Sequence, residues 1–72
     1  MEENKINLLT HREKEILALM LQGYQNKDIS ERLFITNHTV KVHLAKIYEK
    51  FGVKNRVQAT IYILNNHLDK EL

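Results

Sequence analysis

A chain of 72 residues with no proline and only two glycines, Gly23 and Gly52, has few places to break a helix. Proline and glycine supply most tight turns, so the chain is poor material for hairpins and good material for helices. The helix starts are as legible as the stops. Thr10-His11-Arg12-Glu13 is a capping box: the hydroxyl can accept from the Glu13 amide and the carboxylate from the Thr10 amide. Ile16, Leu17 and Met20 follow at helical spacing. Gly23 ends that helix, where a left-handed C-cap favours glycine. A short second helix is predicted from about Asn26 to Leu33 on the stripe Ile29 and Leu33, with Phe34 at its exit. Ile35-Thr36 is the turn and Thr36 the next N-cap. A third helix runs from Asn37 to about Phe51, its apolar residues Val40, Leu44, Ile47 and Phe51 stepping by four, three and four. Gly52 stops it, and a fourth helix spans about Asn55 to Asn66.

These elements predict an all-α fold of four helices, with the second and third forming a central helix-turn-helix. Residues 9–68 are one domain, preceded by a loose arm over 1–8, from which Ile6, Leu8 and Leu9 can dock, and followed by a frayed tail over 69–72. A domain this short buries roughly 60% of the surface its unfolded chain exposes, so stability is marginal and association a common remedy.

Charge is unevenly placed. Between Thr36 and Arg56 lie five bases (Lys41, Lys46, Lys50, Lys54 and Arg56) and one acid, Glu49, a net of +4 within a chain of net +2. The third helix carries Asn, His and Lys on its exposed side and apolar residues on the other, as a helix does when it lies in a DNA major groove with its back on a small core. The fourth helix is apolar on two sides: Ala59, Tyr62 and Ile63 make one stripe, and Val57, Ile61 and Leu64 another, roughly 160–200° away. A second stripe implies a second packing partner, and the same helix of another copy is the expected one.

Other classes find little here. There is no cysteine, hence no disulfide framework and no thiolate site, which fits a reducing cytoplasm. The longest wholly apolar run, Ile16–Leu21, is too short to span a bilayer, and the polar start Met1-Glu2-Glu3-Asn4-Lys5 is unlike a signal peptide. His38 and His43 are about 140° apart on a helix and cannot share a metal as an i, i+4 pair could. Glu13 has no partner acid or base at a related position, so its expected role is the capping box, with a hydrogen bond into the start of the third helix as an addition. The expectation is no enzyme, no metal, no cofactor, no small-molecule ligand and no membrane.

Several words in order carry a family resemblance: Leu9-Thr10-His11-Arg12-Glu13-Lys14-Glu15-Ile16-Leu17, Gly23, Asn26-Lys27-Asp28-Ile29, Leu33-Phe34-Ile35-Thr36, Thr39-Val40-Lys41-Val42-His43, Phe51-Gly52-Val53-Lys54-Asn55-Arg56 and Gln58-Ala59. Together they resemble the LuxR-type helix-turn-helix domain, also called the GerE or NarL type, over more than three quarters of the chain. The resemblance implies a bacterial transcription regulator that binds double-stranded DNA as a homodimer, its third helix recognising the major groove and its fourth dimerising. It implies a stand-alone GerE-like regulator, or, as the alternative, the output domain of a response regulator or autoinducer receptor. RNA polymerase is a further candidate partner.

On this resemblance the base-contacting candidates are Lys41, Val42, Ala45 and His38. Lysine can donate to guanine O6 and N7, and Val42 or Ala45 can pack on a thymine methyl. The phosphate candidates are Asn26, Lys27, Thr36, Asn37, Thr39, His43, Lys46 and Arg56, because short hydroxyls and amides at helix starts suit phosphate oxygens. Lys50 and Lys54 stay open between phosphate contact and simple solubility. Tyr24, Tyr48 and Tyr62 are expected at the core edge. The dimer candidates are Val57, Ile61 and Leu64. The chain departs from the family at Lys27-Asp28 and Ser30, where alanine and glutamate are common, and at Ala45, where many relatives carry a polar or basic residue. Two competitors remain. A fragment resembling region four of a sigma factor would bind core RNA polymerase, and a dimerising protein-interaction module would ignore DNA.

Overall fold

Capping and apolar spacing set the element order in the computed structural model, which describes residues 5–72. Helix α1 (His11–Leu21) starts on the predicted box: the Glu13 N–H donates to Thr10 Oγ1 at 3.1 Å and the Thr10 N–H to Glu13 Oε1 at 2.9 Å. Helix α2 (Asn26–Leu33) follows, then α3 (Asn37–Phe51) and α4 (Arg56–Asn65). Thr36 caps α3 by accepting from the Thr39 N–H at 3.1 Å, and Asn55 caps α4 by accepting from the Gln58 N–H at 2.9 Å. Gly23 and Gly52 both adopt positive φ, at 96° and 72°, a region that glycine enters without the steric cost a side chain would add.

Helix α3 lies at the centre, packed on α1, α2 and α4. Its Val40, Leu44, Ile47 and Phe51 are all buried, as their spacing requires, against Ile16, Leu17 and Met20 of α1, Ile29 of α2, and Ala59 and Ile63 of α4. The Phe51 and Tyr62 rings meet at 4.9 Å between centroids, which joins the end of α3 to α4.

Each end of the described chain carries a short turn. Residues 1–4 lie outside the described part. Lys5–Leu8 is a 3-10 turn that buries Ile6, and the Lys5 ammonium reaches the Phe51 carbonyl oxygen at 3.5 Å. Leu68–Glu71 is a second 3-10 turn, with Leu68 buried. In both cases one apolar side chain has a place in the core, and that burial is what orders the turn.

Two details were not anticipated. Glu13 does not reach the start of α3. It takes the Lys50 ammonium, 2.6 Å away in the last turn of that helix, so Lys50 is tied to the core edge. The α2–α3 turn is made by Phe34, which holds φ 56° and is 94% exposed. The Phe34 and Ile35 amides both return to the Ser30 carbonyl, a closure that needs the left-handed residue but not its side chain. Phe34→Gly should therefore stabilise the domain by about 1 kcal/mol, because it removes the Cβ clash and gives up no burial. A rise in the urea midpoint with an unchanged slope is the expected observation; a fall would mean that the ring contributes packing.

Candidate nucleic-acid interface

A straight helix advances about 100° per residue, so any face of α3 can be followed along the chain. His38, Val42, Ala45 and Glu49 fall within about 40° of one direction, with Lys41 and Lys46 at about 60° and 80° on opposite edges. All six are exposed. The four residues expected to read bases are thus on one open face, opposite the buried stripe. Glu49, the lone acid of the basic segment, shares it.

The phosphate candidates separate into groups. Thr36 and Thr39 sit at the start of α3, their hydroxyl oxygens 2.9 Å apart. The amides of Asn37 and His38 belong to a first helical turn that lacks intrahelical acceptors. Lys27 is exposed near the start of α2. Asn26 and Arg56, the first residues of α2 and α4, line one groove with Lys41, Leu44, Ala45 and Tyr48, about 250 Å³ in volume. Arg56 has already committed one donor: its Nη2 bonds the Tyr24 carbonyl oxygen at 2.8 Å and ties α4 to the loop before α2. His43 is set apart, turned about 140° from His38. It is half-buried, and its Nδ1 has no protein partner.

Tyr48 belongs to this groove as well as to the core edge where it was expected. Its hydroxyl donates to the Met20 sulfur at 3.7 Å. Burial pushes its pKa up, against the pull of the Arg56 charge. Only the angular neighbourhood of Lys41 and Tyr48 on α3 hinted at this in the sequence; the approach of Arg56 from α4 did not. Tyr24 carries a separate interaction, with the Arg32 guanidinium over its ring at 4.1 Å and Nη2 on its hydroxyl at 2.6 Å. On α4, Val57, Ile61 and Leu64 are 66%, 52% and 53% exposed and form one apolar stripe, while Ala59 and Ile63 face inward.

Among the described residues no helix is long and apolar enough to cross a membrane. A short helix joined by a tight turn to a longer one with a basic open face defines a helix-turn-helix domain. Residues 7–63 match the family described as bacterial regulatory proteins, luxR family, and the chain belongs to it. It is 52% identical over 60 residues to the transcriptional regulatory protein LiaR of Bacillus subtilis (strain 168), covering 83% of this chain and 28% of LiaR. It is 46% identical over 61 residues to the nitrate/nitrite response regulator protein NarL of Escherichia coli (strain K12), covering 85% of this chain and 28% of NarL. The chain thus spans less than a third of the length of these curated relatives. The structure of the transcription factor GerE superposes with a TM-score of 0.74 at 42% identity, covering 83% of this chain and 90% of that one. The domain is therefore the DNA-binding helix-turn-helix of a family of transcription regulators.

Proposed function

We propose that this chain binds double-stranded DNA sequence-specifically, as a homodimer, with α3 in the major groove, and regulates bacterial transcription in the cytoplasm. The open face of α3 carries the reading: it brings His38, Lys41, Val42 and Ala45 to one side of a helix whose back is fully packed. On this reading Lys41 donates to guanine, Val42 and Ala45 contact thymine methyls, and His38 reaches a base edge. Thr36, Asn37, Thr39, His43, Lys46, Asn26, Lys27 and Arg56 serve the backbone, which sets register and most of the affinity. Val57, Ile61 and Leu64 pair two copies through α4. The reading is the same whether the domain acts alone or as the output part of a longer chain, and RNA polymerase is a partner the bound dimer can meet.

The test is fluorescence-anisotropy binding to random duplex DNA at several salt concentrations, followed by selection and sequencing of the bound fraction. Affinity that falls steeply with salt and an enriched two-half-site motif are expected; no binding at low salt would sink the proposal. Two substitutions then separate the roles. Lys41→Ala should cost about tenfold or more on the selected site and much less on random DNA. Lys46→Ala should weaken both alike and lower the salt slope by about one. Equal losses on both DNAs for Lys41→Ala would remove it as a base reader.

A further inference from the structure

The groove between α3 and the starts of α2 and α4 has properties that packing alone does not explain. Its lining holds two cations, Lys41 and Arg56, and none of the six lining residues is acidic. Asn26 Oδ1 is buried without a protein partner. The Tyr48 hydroxyl bonds a thioether sulfur, a weak acceptor. Buried amide oxygens and hydroxyls are normally satisfied, so a cluster with an unpartnered amide oxygen, a weakly engaged hydroxyl and two cations is incomplete as it stands. Both Asn26 and Tyr48 can turn donors toward an anion: the amide by rotating its NH2 inward, the hydroxyl by giving up the sulfur for a charged oxygen.

The geometry points to a seat in this groove for a single backbone phosphodiester of bound DNA, with Tyr48 and Asn26 as its neutral donors, Arg56 as its charge and Lys41 at its rim. The inference rests on the proposal that α3 enters the major groove. It adds a DNA-contacting role for Tyr48, whose place at the core edge would otherwise be only structural. Lys41 explains the location: it stands on the edge of the open face nearest Tyr48, where the helix meets a flanking backbone strand. The seat therefore fixes how far α3 sits along its groove, and a base reader is useful only if that register is fixed. Tyr48 stays protonated at neutral pH, since its pKa is shifted upward. It consequently supplies a hydrogen bond without releasing a counterion.

These features make the test specific. Tyr48→Phe keeps the ring and the packing and removes one hydroxyl. Affinity for the selected duplex should fall about tenfold, the order expected for one hydrogen bond to a charged oxygen, and the salt slope should not change. The same duplex is then made with each phosphate in turn replaced by a neutral methylphosphonate. The wild-type protein should be weakened strongly at one phosphate per half-site, and there Tyr48→Phe should add little further loss, because the partner of the hydroxyl is already neutral. A purely structural Tyr48 would lower affinity by the same factor on every modified duplex, which would overturn the seat and leave the DNA-binding proposal standing. Failure of the wild-type protein to bind any duplex would overturn both. Thermal melting of Tyr48→Phe within a few degrees of the parent is the expected control. If the variant melts much lower, Asn26→Ala is put through the same scan and must show the same single-phosphate signature for the seat to survive.

Discussion

Replacing Ile61 with lysine is expected to reduce affinity for a two-half-site operator by at least about a hundredfold while leaving the monomer folded and its affinity for one half-site unchanged. Ile61 is central in the α4 stripe, between Val57 and Leu64, and more than half exposed, so its side chain contributes little to the monomer core. In the proposed dimer two such stripes meet across a two-fold axis, where each substitution occurs twice: two ammonium groups would be desolvated beside each other. The interface is small. Helix α4 has 10 residues, about 15 Å in length, and one helix per partner buries less than the roughly 1,200 Å² typical of stable complexes. The free protein should therefore sediment mainly as a monomer at micromolar concentration and dimerise when DNA holds two copies side by side. The second copy then binds at an effective concentration set by the operator, an advantage of about 10² to 10⁴ that disappears with the contact. At protein concentrations below the half-site Kd, sedimentation of the complexes should give two copies per operator for the parent and at most one for Ile61→Lys. Two copies at unchanged affinity in the variant would remove α4 from the interface.

Contacts close along this chain are legible in its sequence, and contacts between distant segments are not. The Thr10–Glu13 box, the Thr36 cap, the Gly52 stop and the α3 stripe all involve residues within one or two turns of each other, so helix geometry alone decides them. The open α3 face follows from the same periodicity. The pairings that fix tertiary structure were not legible. Glu13 meets Lys50 across 37 positions and Arg56 meets the Tyr24 carbonyl across 32, separations over which helix periodicity carries no information. The left-handed conformation of Phe34 is not legible in the sequence, because bulky side chains rarely take it. The groove shared by Asn26, Tyr48 and Arg56 draws on three helices, so no single stretch of sequence contains it.

Lys50→Met should destabilise the domain by about 2–3 kcal/mol near neutral pH, a large share of the roughly 4–10 kcal/mol expected for a chain of this size. The asymmetry of the pair with Glu13 sets the magnitude. The Glu13 side chain is 3% exposed and that of Lys50 31%. Removing the lysine strands a buried carboxylate, whereas Glu13→Gln leaves an ammonium that can turn to water and an amide oxygen that can still cap Thr10. The glutamine variant should accordingly lose only about 1 kcal/mol. Combining both changes should recover much of the lysine loss, since no buried charge then remains. The pH dependence carries the same signature. Burial raises the Glu13 pKa, but hydrogen bonds from Lys50 and Thr10 and the Lys50 charge outweigh it and leave it below its ordinary 4.5. A carboxylate with a lowered folded pKa stabilises the fold above its unfolded value, and that contribution disappears as pH falls through the folded value. The gap between parent and Lys50→Met should thus be widest near neutrality and narrow as pH falls through the lowered folded pKa of Glu13, where the carboxylate of the parent takes up its proton. Urea unfolding at about pH 7 and pH 3.5 measures it, and a gap independent of pH would mean that Lys50 acts through its packing rather than through its charge.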